Sequence, residues 1–136
     1  MKEVFADTFY WIALTDPREQ YHALAVTLRH QWSRTRVVTS EGVLTEYLAF
    51  FAGQGRVPRE NAVLNAEGIL NDPKIHVESQ SSVRFRNALE LYKNRLDKGY
   101  SLVDCMSTQL MWERNITAVL TYDRHFLQEG FQLLFD

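Results

Sequence analysis

Short β-rich runs that alternate with longer helical segments constrain the fold of this chain more than any other feature. The runs occupy residues 3–7 (EVFAD), 36–40 (RVVTS), 74–79 (KIHVES), 117–123 (TAVLTYD) and 131–135 (FQLLF). Several are continuous apolar stretches, which are typical of parallel strands that are buried on both faces. We therefore predict an α/β fold with three layers, α/β/α, in which helices cover both faces of a central, mainly parallel sheet.

The segments between these runs carry helical periodicity and start or stop signals. We predict that Asp16-Pro17 opens the second helix, that Ser40 caps the third and that Pro58 opens the fourth. The predicted helices cover residues 8–14, 17–32, 41–55, 58–72, 81–99, 101–115 and 124–130.

The composition indicates one globular domain over residues 1–136. Apolar residues make up 46% and charged residues 24% of the chain, which is close to the average of soluble globular proteins. No run approaches the ~18 consecutive apolar residues of a membrane span, and Glu3 and Asp7 stand where a signal peptide would be apolar. We therefore expect a cytoplasmic protein that does not bind membranes.

The single cysteine, Cys105, lies in an apolar helical segment. It has no partner for an internal disulfide, and it excludes a cysteine-based zinc site within one chain. We expect a buried, unreactive thiol in a reducing compartment.

A net charge of −2 argues against a protein that coats nucleic acid by bulk electrostatic attraction. A local basic patch remains open, because arginines outnumber lysines, and each of them is either a solvated surface group or a phosphate contact. They include Arg29, Arg34, Arg36, Arg56, Arg59, Arg84, Arg86 and Arg95.

Two of the predicted β-rich runs end in an acidic residue. Asp7 ends the first run and Asp123 ends the run at 117–123. Ligands of open parallel sheets bind at the carboxyl ends of the strands, near a topological switch point. The alternative for each aspartate is a helix N-cap or an Asx turn.

Glu46 lies on a predicted helix that offers almost no polar face (EGVLTEYLAFF, residues 41–51). A carboxylate in apolar surroundings is costly unless it is hydrogen-bonded, paired, protonated or bound to a cation. Alternatively, Glu46 sits at a rim, where it reaches water or an arginine.

Asp104 presents the same choice on the late helix. Ser101 and Asp104 fit a capping box, and an aspartate is favourable in a first helical turn. Asp104 also shares a face with Ser107 and Thr108, so the same carboxylate can cap the helix and project into a cleft.

Four carboxylates on separate elements that converge at one sheet edge are the arrangement expected for Mg²⁺ or Mn²⁺, since hard cations take oxygen ligands. The chemistry that such a site favours is phosphodiester hydrolysis by a metal-activated water.

Four segments in this order resemble the PIN domain family, and most closely its small VapC-type toxins: FADTFYWIAL, EGVLTEYLAFF, YSLVDCMSTQLMWERN and AVLTYDRHF. The resemblance extends from Val4 to about Leu134. It implies an endoribonuclease whose Mg²⁺ or Mn²⁺ is held by Asp7, Glu46, Asp104 and Asp123.

The resemblance also implies that Thr121 supports the site and that the position of Phe126 is aromatic, although we expect Phe126 to be a core residue. It further implies an RNA substrate, a small antitoxin that blocks the site, and a homodimer. Glu3 and Glu41 are nearby acidic alternatives to Glu46. Glu41 suits a first-turn position, and Glu3 precedes the strand.

The leading hypothesis is therefore a Mg²⁺- or Mn²⁺-dependent endoribonuclease, the toxin of a toxin-antitoxin pair. The main alternative is a non-catalytic PIN-like module that binds RNA or protein. A phosphotransfer receiver would need a late lysine, but the last lysine is Lys98, and a haloacid-type phosphatase would carry a second aspartate at Phe9. His125 is interpreted as a surface residue, with a general-acid or phosphate-contact role as the alternative.

Overall fold

The computed structural model describes residues 2–135, and within this range the chain alternates between strands and helices as predicted. Its strands are β1 (Glu3–Ala6), β2 (Arg36–Ser40), β3 (Ile75–Glu78), β4 (Ala118–Leu120) and β5 (Gln132–Leu133). Its helices are α1 (Thr8–Thr15), α2 (His22–Gln31), α3 (Glu41–Phe51), α4 (Arg56–Asn71), α5 (Ser82–Lys93), α6 (Leu102–Arg114) and α7 (Arg124–Gln128).

The strands form one parallel sheet in the order β3-β2-β1-β4-β5. Val4 of β1 aligns with Val37 of β2, while Phe5 aligns with Val119 of β4. The chain order therefore reverses at β1, and the carboxyl ends of β1 and β4 flank the switch point where ligands of such sheets bind.

The core lies on both sides of this sheet. Consecutive residues of a strand point to opposite faces, yet Val4, Phe5 and Ala6 are all buried, as are Val119 and Leu120. Helices must therefore cover both faces, which confirms the predicted α/β architecture.

Local signals explain where several helices begin and end. The side chain of Ser40 accepts a hydrogen bond from the backbone amide of Val43 and caps α3 as predicted. Asn115 ends α6 in the left-handed conformation with φ 57°, which an asparagine tolerates better than most residues.

The start of the second helix was predicted wrongly at Pro17. Asp16 Oδ1 accepts the backbone amide of Arg18 at 3.0 Å, and the carbonyl of Asp16 accepts the amide of Glu19. These bonds form a turn, so α2 begins only at His22. The fourth helix also begins earlier than predicted, at Arg56 rather than Pro58.

Two predictions for single side chains are confirmed. Phe126 is a core residue, and Cys105 is a buried free thiol. Burial raises the pKa of the Cys105 thiol to about 11, so the reactive thiolate is scarce near neutral pH. Among the helices of residues 2–135, none has the length and apolar character that crossing a membrane requires.

Candidate functional site

Asp7 follows β1 and is buried, with only 5% of the residue exposed. It occupies the N-cap position of α1, but its carboxylate makes no capping hydrogen bond within the described part of the chain. Instead, Thr121 Oγ1 donates a hydrogen bond of 3.1 Å to Asp7 Oδ2. The helix-cap alternative therefore does not account for this carboxylate.

The pKa of Asp7 is raised to about 7. Burial is the main cause, and the nearby negative charges of Asp104 and Glu46 act in the same direction. The backbone amide of Thr8 and the hydroxyl of Thr121 partly oppose the rise.

Thr121 connects two of the candidate carboxylates. While its hydroxyl donates to Asp7, its Oγ1 also accepts the backbone amide of Asp123 at 3.1 Å. Thr121 directly follows β4, which ends at Leu120. Its position fits the supporting role that the family resemblance implies.

Asp123 is the N-cap residue of α7. Its Oδ1 accepts the backbone amide of His125 at 3.0 Å, so the capping alternative describes a real contact. The side chain is also 37% exposed, and its cap leaves other carboxylate lone pairs available.

Asp104 closes the predicted capping box of α6. Its amide donates to Ser101 Oγ and its Oδ2 accepts the amide of Ser101, both at 3.0 Å. The same Oδ2 lies 3.3 Å from His125 Nδ1. Asp104 therefore caps the helix and also faces the chain segment that carries Asp123.

The environment of Asp104 raises the pKa of its carboxyl group. Burial is the main cause and the charge of Asp123 contributes, while the amide of Ser101 and the ring of His125 oppose the rise. Ser107 and Thr108, on the same face of α6, are fully or almost fully buried, so this face points into the protein.

Glu46 reaches the site from α3. Thr8 Oγ1, in the first turn of α1, donates a hydrogen bond of 2.6 Å to Glu46 Oε1. The pKa of Glu46 is raised mainly by burial, against the effect of the Thr8 hydrogen bond, and the charges of Asp104 and Asp123 add to the rise.

Both acidic alternatives to Glu46 are engaged elsewhere. Glu3 binds the guanidinium of Arg114 through both carboxylate oxygens at 3.0–3.1 Å, and Glu41 Oε1 accepts the backbone amide of Gln80 at 2.6 Å. Glu46, by contrast, lies near enough to Asp7 for its negative charge to raise the pKa of Asp7.

Several arginines form ion pairs with glutamates away from these carboxylates, which makes them less available to phosphate. Each of the following pairs has an N–O distance of at most 3.5 Å: Arg36 with Glu3, Arg56 with Glu60, Arg84 with Glu78 and Glu113, and Arg95 with Glu129.

Asp104 and Asp123, together with His125, offer ligand atoms that all lie within 4.8 Å of one another. Asp7 and Glu46 are not part of that group, but they lie near enough to it for the charge of Asp104 to raise the pKa of both. Within residues 2–135, no lysine or arginine forms an ion pair with any of these four carboxylates, and His125 is the one basic side chain that contacts them. Neighbouring carboxylates without cationic partners are unfavourable unless they are protonated or bind a cation. Their oxygen donors suit Mg²⁺ or Mn²⁺.

The sequence interpretation missed the contacts that two residues, Thr8 and His125, make with the candidate carboxylates. Thr8 was not singled out, although a hydroxyl residue directly after Asp7 was a usable signal. The side chain of His125 is 34% exposed, in keeping with a surface position, but its ring also lies 3.3 Å from both Asp104 and Asp123, which the sequence interpretation did not anticipate. Its spacing of two residues after Asp123 was the signal for this contact.

Comparison with known proteins places the chain in a family. The family described as "PIN domain" matches residues 4–131. No curated protein matches by sequence. Among solved structures, the chain is similar to VapC20 of Mycobacterium tuberculosis, a toxin described as cleaving the sarcin-ricin loop. The two share 27% sequence identity with a TM-score of 0.81, over 94% of this chain and 95% of that one.

The residues of the family match include all four candidate carboxylates, and the structural likeness covers 94% of the chain. The two findings confirm the resemblance that the sequence motifs indicated. This chain belongs to the PIN domain family.

Proposed function

We propose that this protein is a metal-dependent endoribonuclease and the toxin of a toxin-antitoxin pair. The observation that carries the proposal is a set of neighbouring carboxylates without an arginine or lysine partner among residues 2–135. Asp104 and Asp123 offer ligand atoms within 4.8 Å of each other, and Asp7 and Glu46 lie near enough to interact with them electrostatically. Membership of the PIN domain family and the likeness to a VapC toxin support the assignment to RNA cleavage.

Asp7, Glu46, Asp104 and Asp123 would hold Mg²⁺ or Mn²⁺, directly or through water. When bound, the cation would supply an activated water and would stabilise charge on the scissile phosphate and the leaving oxygen. The described chain contributes fixed orientations: Thr121 holds Asp7, the amide of Ser101 holds Asp104, and Thr8 holds Glu46. Such preorganisation keeps the ligands in place before the cation and substrate arrive.

The partially exposed carboxylates define the side from which RNA would approach. Asp7 is almost completely buried, whereas Asp123 is 37% exposed at its side chain. A phosphate that reaches the cation from the side of Asp123 would therefore meet the least obstruction. The similar structure VapC20 is described as cleaving the sarcin-ricin loop, so an RNA stem-loop of that sequence is a rational first substrate.

The test is cleavage of this stem-loop and of a mixed structured RNA pool by the purified protein, with Mg²⁺, with Mn²⁺ and with EDTA. Asp104→Asn is the informative variant, since an asparagine oxygen can still accept the amide of Ser101 while the ligand charge is lost. Asp97→Asn is the matched control, because Asp97 is highly exposed and pairs only with the adjacent Lys98 among described residues.

We expect metal-dependent cleavage by the wild type and Asp97→Asn, and at least about a hundredfold loss in Asp104→Asn, as is typical when transition-state charge stabilisation is removed. Cleavage that resists EDTA, or that persists in folded Asp104→Asn, would contradict the proposal. RNA binding without turnover by a metal-loaded wild type would favour the non-catalytic module instead.

We also propose the partners and location that the family suggests: a small antitoxin, a second copy of the chain, and the cytoplasm, with residues 1–136 acting as one domain. Large apolar side chains are exposed on α4 and on α5, and each helix therefore offers apolar surface to a protein partner. These side chains include Val57, Val63, Leu64, Leu70, Val83, Phe85 and Leu89. Light scattering of the purified protein would test for the homodimer. Light scattering after co-expression with the product of a small open reading frame just upstream would test for the antitoxin.

A further inference from the structure

Within residues 2–135, His125 is the one basic side chain that lies within ion-pair distance of the candidate carboxylates, and it contacts two of the four, Asp104 and Asp123. Its Nδ1 atom lies 3.3 Å from Asp104 Oδ2 and 3.3 Å from Asp123 Oδ1. One ligand atom from each of these three residues fits within a set whose members lie no more than 4.8 Å apart. The imidazole ring therefore lies in direct contact with the carboxylate oxygens of Asp104 and Asp123.

The two separations between the ring nitrogen and the carboxylate oxygens are close to those of neighbouring ligands around one cation. In octahedral coordination with metal–ligand bonds of about 2.1 Å, adjacent ligand atoms lie about 3 Å apart. A ring nitrogen at 3.3 Å from two carboxylate oxygens needs only a small adjustment to share a cation with both.

The structure also holds the imidazole in this position. The backbone amide of His125 donates to Asp123 Oδ1 at 3.0 Å, which fixes the start of α7. On the other side, the ring packs edge-on against Tyr100, with centroids 5.2 Å apart. The hydroxyl of Tyr100 is itself bound to Glu129 Oε2 at 2.8 Å.

A supported ring is the arrangement expected of a histidine ligand, because contacts beyond the metal orient the ligands that bind it. Nδ1 coordination requires the neutral ring to carry its proton on Nε2. Nε2 makes no hydrogen bond to residues 2–135, and the side chain is 34% exposed, so water can accept that proton.

We propose that His125 is a metal ligand through Nδ1, and that this nitrogen biases the centre toward Mn²⁺ and away from Mg²⁺. The inference rests on the proposed metal-dependent function and adds a fifth residue to its site. Mg²⁺ prefers an all-oxygen environment and retains its waters, whereas imidazole is a better ligand for first-row transition ions.

The experiment uses untagged full-length protein loaded with Mn²⁺. Pulsed electron paramagnetic resonance reports whether a nitrogen is bonded directly to Mn²⁺, and calorimetric titrations give the affinities for Mn²⁺ and Mg²⁺ separately. Two variants separate coordination from hydrogen bonding. His125→Asn retains a side-chain hydrogen-bond donor, while His125→Phe removes every polar atom but preserves an aromatic ring against Tyr100. His30→Asn, at an exposed histidine on α2, is the control.

We expect the wild type and His30→Asn to show nitrogen coupling, and both His125 variants to lose it. Mn²⁺ affinity should fall about tenfold or more in these variants, as for loss of a ligand or its support, with a clearly smaller change for Mg²⁺. Mn²⁺ bound without nitrogen coupling in the wild type would overturn the inference. So would an equal effect on both ions, or full Mn²⁺ affinity in His125→Asn, which would make His125 a positioning residue only.

The parent proposal fails in a different way. If Asp104→Asn binds Mn²⁺ as tightly as the wild type, or if the folded wild type binds no divalent cation, the carboxylate centre itself is refuted and the ligand role of His125 is refuted with it. If Asp104→Asn loses binding while the His125 variants bind like the wild type, only the His125 inference is overturned.

Discussion

Thr121 Oγ1 donates a buried hydrogen bond of 3.1 Å to Asp7 Oδ2 and joins residues that lie 114 positions apart in the chain. The same oxygen accepts the amide of Asp123. One hydroxyl thus ties the end of β1 to the segment after β4, and orients two candidate ligands with respect to each other.

Replacing Thr121 with valine should therefore destabilise the protein. The change conserves shape but leaves the Asp7 carboxylate and the Asp123 amide without this partner, and unsatisfied buried groups cost about 1–3 kcal/mol. Urea unfolding of the metal-free protein measures the loss. Thr121→Ser retains the hydroxyl and should recover most of it. Wild-type stability in Thr121→Val would show that the hydrogen bond does not contribute.

Removing the Thr8 hydroxyl should make metal binding require a higher pH. The hydrogen bond from Thr8 lowers the pKa of Glu46 against the raising effect of burial, so Thr8→Val should raise this pKa further and keep Glu46 protonated to a higher pH. The measurement is the Mn²⁺ dissociation constant from pH 5.5 to 8.5. Thr8→Ser should follow the wild-type curve. Superimposable curves for valine and wild type would contradict this role.

Stability of the metal-free protein should fall as the pH rises from about 4 to above 7. The pKa of Asp7 is raised from 3.8 to about 7 by burial and neighbouring negative charge. The folded state therefore binds a proton more tightly than the unfolded state, and the associated stability is present at low pH and lost as the pH passes 7. A shift of this size corresponds to at most about 4 kcal/mol.

Thermal unfolding in EDTA between pH 5 and 8 tests this direction. The raised pKa values of Asp104 and Glu46 add to the same trend. Asp7→Asn should flatten the profile and be more stable than the wild type at pH 8. Saturating Mn²⁺ should reverse the trend, because the cation binds the ionised carboxylates and stabilises the folded state. A wild-type melting temperature that rises with pH in EDTA would refute the account.

Ser101→Ala should separate the capping role of Asp104 from its role in the site. Loss of an N-cap hydroxyl typically costs about 1 kcal/mol, so this variant should unfold at lower urea concentration while retaining RNA cleavage at temperatures where it is folded. Asp104→Asn should show the opposite pattern, with stability near wild type and cleavage lost. Parallel losses of cleavage in both folded variants would mean that the cap itself controls activity.

Local chemistry made much of the fold predictable. The apolar runs of β1, β2 and β4 could be recognised as buried parallel strands without knowledge of their neighbours, because burial on both faces requires apolar residues at consecutive positions. The cap at Ser40 and the capping box of Ser101 and Asp104 depend on residues at most three positions apart. The start of α2 was missed because Asp16 forms a turn with Arg18 in place of a helix cap.

The sequence predicted which acidic residues belong to the candidate site, but it did not predict the contacts that position them. Asp7 and Asp123 could be placed at one sheet edge, because parallel strands end on the same side. The sequence already favoured Glu46 over Glu41, but the bond from Thr8 that orients Glu46 depends on the contact between α1 and α3 and could not be predicted. The position of His125 depends on how α7 packs beside α6 and Tyr100.

By itself, the sequence determined the alternation of strands and helices, the caps at Ser40 and Ser101, and the acidic residues that follow β1 and β4. These properties depend on residues close together in the chain. Tertiary structure alone decided that Asp7 is buried against Thr121, and that Asp104, Asp123 and His125 lie within one coordination sphere's width. Those contacts join residues up to 114 positions apart, and only packing of the whole sheet and its helices brings such distant groups together.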